Sequence, residues 1–496
     1  MWVPTEQDYN RVLSEQNPWH GTDSVPEAWA KSVERPLVRF ILNRLNPSPS
    51  SPRRFQLLLG PRRVGKTTAM YQTVRRLLRS GIPARRLLWL RLDHPLLMSY
   101  RLDQLVRNAL AASGATPKEP LILFLDELVY AQDWDLWLKT FYDEAWPVCI
   151  LGSSSSTAAL QQRRMESGIG RWEEQYLAPC LFTEFLELCG EQSRPPVGET
   201  LCETLEACIA AHLPISDEIL QLRRRLLFTG GFPELLMTGQ LRATDEVSNI
   251  LESQRILRSD AVERAIYKDI PQAFGVDNPM LLERLLYTLA GQMCGLLSPR
   301  TLSQSLDGLA QTTFDRYLAY LERAFLVFTL PNYSGSEAQV QKRGRKLYFI
   351  DGAVRNAALQ RGVAPLQDAV ETGLLLENLA VGHLHALAAQ SQVRLYHWRH
   401  NNDEVDAIYD HPQQPLAFEI ASSASHHKRG MREFLSRYPR FKGRGYLVAP
   451  GLPARRAKDT QDGVGTVGLD TFLIAVGAQA ERELEGRIGG WAAVSH

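Results

Sequence analysis

The stretch Leu57-Leu-Leu-Gly60-Pro61-Arg62-Arg63-Val64-Gly65-Lys66-Thr67-Thr68 constrains this chain more than any other. It fits G-x-x-x-x-G-K-[ST] without a departure. An apolar run, 55–59, precedes it and reads as a buried strand, and a helical pattern, 67–78, follows it. That strand–loop–helix setting separates a phosphate-binding loop from a chance match. Gly60 and Gly65 let the backbone curl so that its N–H groups, including those of Pro61's neighbours Arg62, Arg63 and Val64, point at phosphate oxygens. Lys66 is expected on the β- and γ-phosphates, the Thr67 hydroxyl on Mg²⁺, and Thr68 beside them. The positive end of the helix faces the same phosphates.

Two further apolar runs fit the same sheet. Residues 86–93 read as a parallel strand, and 120–127 is a continuous apolar run ending in Asp126 and Glu127. A strand buried on both faces needs such a run. At this distance after a phosphate-binding loop, Asp126 is expected to bind Mg²⁺ and Glu127 to act as general base toward the attacking water. A Trp-bearing helix follows, then a third run, 147–156, ending Gly152-Ser153-Ser154-Ser155-Ser156. Ser153 is the candidate for a polar sensor of the γ-phosphate or water, with Ser154 next to it; a plain polar loop is the alternative.

The series GPRRVGKTT, LFLDE with its Trp-bearing helix, LGSSS, Gly170-Arg171 and Pro179-Cys-Leu-Phe182-Thr-Glu-Phe-Leu resembles one bacterial and archaeal AAA-type ATPase family. The resemblance covers about residues 35–450. It implies an ATPase domain, a middle helical and winged-helix region, and a C-terminal domain of unknown function similar to restriction endonucleases. It also implies ATP as the nucleotide and a place for Arg171, either as an arginine finger on a neighbour's nucleotide or as a surface arginine pairing a carboxylate. The turn Gly230-Gly-Phe-Pro233-Glu234 and the element Tyr267-Lys-Asp-Ile270 also resemble that family, and both read as structural.

The expected fold is therefore α/β: an N-terminal arm (1–34), a P-loop ATPase core (35–190), a helical lid (191–277), a winged helix (278–350), a smaller nuclease-like α/β domain (351–475) and a frayed tail (476–496). In the winged-helix segment the third helix, 311–323, carries Thr312, Thr313 and Arg316. The strands 325–330 and 346–350 flank a basic run of Lys342, Arg343, Arg345 and Lys346. Such a basic wing beside a polar helix suits contacts to duplex phosphates. A protein-contact winged helix is the alternative.

In the C-terminal segment, Glu377 on a helix, Asp406 on one strand and Glu419 on the next match the acids of restriction-like nucleases. The position two after Glu419, where such enzymes carry lysine, is Ala421. Without that cation the attacking water loses its positioner. The site reads as a degenerate nuclease, although Lys428 in the next helix lies within reach along the chain. His383, His385, His426 and His427 read as packing or solvent-facing histidines rather than metal ligands.

A chain of 496 residues with 44% apolar residues needs more than one core. Its net charge of +1 confines any nucleic-acid surface to a local patch. The six cysteines form no C-x-x-C pair and read as buried thiols. With no leader and no run of about 18 apolar residues, the chain is expected in the cytoplasm and off the membrane. Two functions stay open. One is an oligomeric ATP- and Mg²⁺-dependent motor or remodeller on duplex or branched DNA, of the branch-migration or helicase kind. The other is a nucleotide-gated signalling or scaffold switch with protein partners. A live Mg²⁺ nuclease is a third, weakened by Ala421.

Overall fold

In the computed structural model, Phe55–Leu59 forms β1, buried along its whole length and placed second from one edge of a five-stranded sheet. The other strands are β2 (Leu87–Arg91), β3 (Leu121–Asp126), β4 (Val148–Ser154) and β5 (Trp172–Tyr176). The order is β2-β3-β4-β1-β5 and every pairing is parallel. The structure describes residues 5–45, 54–155, 170–237, 245–298, 302, 304, 306, 308–334, 344–423 and 426–489. The chain divides into two compact units: residues up to Leu177 together with those from Leu484 onward, and Ala178–Glu483.

In the first unit, β5 was not anticipated. Its sequence, Trp-Glu-Glu-Gln-Tyr, lacks the apolar run of its neighbours because it is an edge strand with polar outward positions. The opposite edge, β2, is covered by the N-terminal arm. Asn17 Nδ2 donates to the Trp89 carbonyl at 3.0 Å, and the Trp89 N–H donates to Asn17 Oδ1 at 2.6 Å. Trp19 Nε1 donates to the Leu87 carbonyl at 2.9 Å. The arm thus answers edge-strand groups that would otherwise face solvent. The helix Lys66–Arg79 packs on the sheet through Tyr71, whose ring stacks on Trp89 at 3.9 Å and 9°.

The second unit opens with helices, among them Phe182–Leu188, Leu201–Ala210, Asp217–Thr229 and Glu246–Leu257. The turn after Asp217–Thr229 is built for a close approach: a Cβ on Gly231 would meet the Cys180 carbonyl at 2.8 Å. Asp351 fastens that turn, accepting from the Gly231 N–H at 2.8 Å. Helices Pro279–Ala290 and Gln311–Arg323 precede an antiparallel hairpin of β6 (Val327–Pro331) and β7 (Arg345–Phe349).

A second five-stranded sheet follows: β8 (Leu395–His400), β9 (Asp403–Tyr409), β10 (Leu416–Ile420), β11 (Gly445–Ala449) and β12 (Val464–Gly468), in the order β12-β11-β10-β9-β8. β8, β9 and β10 are antiparallel, and β10, β11 and β12 are parallel. The long helix Ala369–Ser391 packs on this sheet, its first turn capped by the Asp368 carboxylate. The expected frayed tail is corrected in part: Leu469–Gly489 is a single helix, with Val476 and Gln479 buried. Its small residues serve close packing, since a Cβ on Gly477 would lie 2.5 Å from the Thr183 hydroxyl.

His383 sits inside this unit. Its Nε2 accepts from the Phe182 N–H at 2.9 Å and its Nδ1 donates to the Leu379 carbonyl at 2.9 Å. Both partners require the neutral ring, and burial pushes its pKa down from 6.5 to about 4. The unfolded chain therefore takes up this proton first as pH falls. The contribution is fully present above about pH 6.5 and is lost progressively toward about pH 4, with an upper limit of about 3 kcal/mol. Thermal melts across pH 4–7 are expected to show His383→Gln flattening the acid slope by close to one proton.

Candidate active site

The loop between β1 and the helix Lys66–Arg79 carries left-handed backbone at Arg63 (φ 69°) and Gly65 (φ 89°). Alternation of this kind turns successive N–H groups toward one point and forms an anion nest. Gly60 permits the loop's closest approach: a Cβ there would lie 2.2 Å from the Leu177 carbonyl oxygen. Arg35, absent from the sequence-level candidates, supports the loop from outside, donating to the Val64 carbonyl at 2.9 Å. No spacing signal marked it.

Lys66 is buried and its Nζ donates to the carbonyls of Gly60 at 2.9 Å and Pro61 at 2.8 Å. Its charge is thus held within the loop. Thr67 Oγ1 donates to Asp126 Oδ2 at 3.2 Å, which brings the two expected metal-holding groups together. Thr68 follows in the first turn of the helix. Asp126 is buried, and its pKa is pushed up to about 6 by burial first and by the Glu127 charge second. A buried carboxylate under that strain suits a cation. A hydroxyl beside it and an ammonium nearby complete the donor chemistry of a Mg²⁺–nucleotide site.

The sheet order places β4 between β1 and β3. Ser153 therefore stands beside Asp126, donating to its Oδ1 at 2.5 Å and accepting from the Glu127 N–H at 3.0 Å. Ser154 is buried on the same strand. Ser155, not singled out beforehand although it lies in the same serine run, donates to Glu127 Oε2 at 3.3 Å. Glu127 has φ 54°, an uncommon conformation for a residue with a side chain and one found at functional sites. Arg62 Nη1 lies 3.8 Å from Glu127 Oε1, so one loop arginine faces the candidate base. Arg171 forms a two-pronged pair with Asp143 at 2.8 and 2.9 Å.

Among the other candidates, Thr312, Arg316 and Arg345 are exposed and Thr313 is half-buried. Lys342 and Arg343 lie outside the described residues. Lys346 is corrected: it is 3% exposed and is not part of a wing surface. Successive strand residues face opposite sides, so on β7 an outward Arg345 requires an inward Lys346. Its Nζ reaches Glu404 at 2.6 Å, Asp406 at 2.7 Å and Glu377 at 2.8 Å. Glu377 and Asp406 are thus brought together with Glu404 around a cation from β7 rather than from position 421, while Glu419 meets His426 Nε2 at 2.8 Å. Lys428 points elsewhere, donating to the Val464 carbonyl at 3.2 Å. Burial, then the Asp406 charge, pushes both Glu377 and Glu419 up to about 7.

A phosphate-binding loop, a strand ending in two carboxylates and a serine-bearing strand between them define a P-loop nucleotide hydrolase in an α/β frame. Residues 52–186 match the family described as an AAA domain, in keeping with the P-loop site they contain. Residues 220–364 and 372–466 match two domains of unknown function, DUF8612 and DUF4143. The chain is similar to uncharacterized protein MJ1637 of Methanocaldococcus jannaschii, 27% identical over 66% of this chain and 67% of that one. It is also similar to uncharacterized protein Rv2008c of Mycobacterium tuberculosis, 30% identical over 52% of this chain and 56% of that one. Among solved structures, Cdc6p of Pyrobaculum aerophilum aligns at 11% identity and TM-score 0.27, over 68% of this chain and 98% of that one, a likeness too loose to bear on function. No helix among the described residues is long and apolar enough to cross a membrane.

Proposed function

We propose that the chain is a Mg²⁺-dependent ATP hydrolase that works as an oligomer and couples turnover to duplex or branched DNA. The observation that carries the hydrolase reading is the convergence of Lys66, Thr67, Asp126, Glu127 and Ser153 at one end of β1, β3 and β4. Lys66 and the loop N–H groups orient and neutralise the phosphate oxygens. Glu127 takes a proton from the water whose oxygen attacks the γ-phosphorus. The bond to the β-bridging oxygen breaks and ADP leaves. Ser153 holds Asp126 and the Glu127 backbone in fixed relation. Thr67 and Asp126 are the residues that would hold Mg²⁺, which supplies charge neutralisation between the β- and γ-phosphates when bound.

The DNA reading is supported by the helix–hairpin order of 279–349, read as a winged helix, and by its exposed Thr312, Arg316 and Arg345. An arginine-finger role would need Arg171 to exchange Asp143 for a neighbour's phosphate. The second sheet is read as a nuclease-like scaffold used for binding. ATP turnover is expected to rise several-fold with duplex or four-way-junction DNA, and the stimulation to weaken steeply with salt. Arg316→Ala with Arg345→Ala is expected to remove most of that stimulation. A slow turnover indifferent to duplex, single-stranded and branched DNA establishes the second reading, a nucleotide-gated scaffold switch. That reading is favoured by the burial of Lys346, which withdraws one cation from the hairpin.

A further inference from the structure

The chemistry gathered around Lys346 lies outside the nucleotide site and has no part in hydrolysis. An ammonium has three N–H donors, and all three of these end on carboxylates, of Glu404 and Asp406 on β9 and of Glu377 on the helix Ala369–Ser391. Burial works against that charge, but the carboxylates outweigh it and hold the lysine well above its ordinary range. The surrounding shell is ordered. Tyr348 Oη donates to Glu377 Oε1 at 2.9 Å, and the Ile420 N–H donates to the second Asp406 oxygen at 2.7 Å.

A fourth carboxylate adds an independent mark. Glu419 on β10 is 7% exposed, and its charge and that of Asp406 repel one another. One of its oxygens meets His426 Nε2 at 2.8 Å, and the other, Oε2, is buried without a hydrogen-bond partner. A buried carboxylate oxygen without a hydrogen-bond partner, on a group that the Asp406 charge repels, is stabilised by a positive group nearby. Convergent oxygens from a strand pair and a helix are the donor set of a hard divalent cation. Among the described residues no group of three or more His, Cys, Asp or Glu side chains is disposed to hold a metal ion as the protein stands.

We propose that this cluster is a divalent-cation site closed by the chain itself, the Lys346 ammonium standing where the ion would stand. The tethered charge offers no open coordination position and activates no water as a metal would. The second unit therefore keeps its acids in place without metal and without phosphodiester cleavage. Because Lys346 rides on β7, the same contact fastens the hairpin to the second sheet. None of this depends on the ATPase reading.

The test uses the full chain without nucleotide. Mn²⁺ binding is followed by electron paramagnetic resonance, and melting is recorded with Mn²⁺ or EDTA. Wild type is expected to melt alike in both and to bind no Mn²⁺ that Asp406→Asn removes. Lys346→Met is expected to take up one additional Mn²⁺ per chain and to lose it again when combined with Asp406→Asn. In EDTA it is expected to melt lower by roughly 5–10 °C, with most of the loss recovered on adding Mn²⁺. The proposal is overturned if wild type binds Mn²⁺ in an Asp406-dependent way, or cuts supercoiled DNA in a way Asp406→Asn abolishes. It is equally overturned if Lys346→Met binds no extra Mn²⁺, or fails to fold and Mn²⁺ does not restore it.

Discussion

Glu127→Gln is expected to lower ATP turnover by roughly 10²–10⁴-fold while leaving nucleotide affinity close to that of wild type. The amide keeps the shape of the carboxylate and loses its basicity. Glu127 is placed for the task by its strained backbone at the end of β3, by the Ser155 hydroxyl at 3.3 Å and by Arg62 at 3.8 Å. Only Arg62 among these contacts belongs to the loop that binds phosphate, and at 3.8 Å it is a loose one that the amide's oxygen can keep, so binding and chemistry are expected to separate. Phosphate release under saturating ATP, beside equilibrium binding of a fluorescent nucleotide, reads the two apart. Turnover unchanged in the variant assigns the base elsewhere.

Gly60→Ala carries the second large effect, and here binding and stability fall together. The added methyl would stand 2.2 Å from the Leu177 oxygen and 3.2 Å from its carbonyl carbon. Neither side can yield by a side-chain rotation. Leu177 is tied to β1 through its own N–H, which donates to the Leu59 carbonyl at 2.7 Å. The loop must shift, at a cost of about 1–3 kcal/mol, and the N–H groups it aims at phosphate shift with it. Nucleotide affinity is expected to fall at least tenfold, since every ~1.4 kcal/mol is a factor of ten. Gly21→Ala, where a Cβ meets nothing within 4 Å, serves as the control and is expected to melt and bind as wild type. Equal behaviour of the two variants refutes the crowding argument.

Much of the nucleotide site was legible along the chain because its parts are local. A loop that curls around phosphate needs Gly60 and Gly65 at fixed spacing from Lys66. A strand buried on both faces must be a continuous apolar run, and such runs mark β1, β3 and β4 along the chain. The wing was misread at Lys346 because a run of basic residues was taken as one surface. The alternation of a strand splits it, sending Arg345 outward and Lys346 into the acid cluster. β5 and the arm's grip on β2 escaped notice because edge strands carry ordinary polar sequence and their partners lie far along the chain.

Residue types and their spacing set the chemistry available: a phosphate loop, two carboxylates at a strand end, a serine run and three acids in the C-terminal segment. Which groups meet follows from how the elements are arranged. The sheet order inserts β4 between β1 and β3, so that Ser153 touches Asp126 rather than solvent. The tertiary arrangement gives Arg171 to Asp143 and Lys346 to Glu377, Glu404 and Asp406. The reason is physical. Spacing within a strand or a loop is set by covalent geometry, whereas the partner of a charge is set by sheet order and by which burials leave no charge alone.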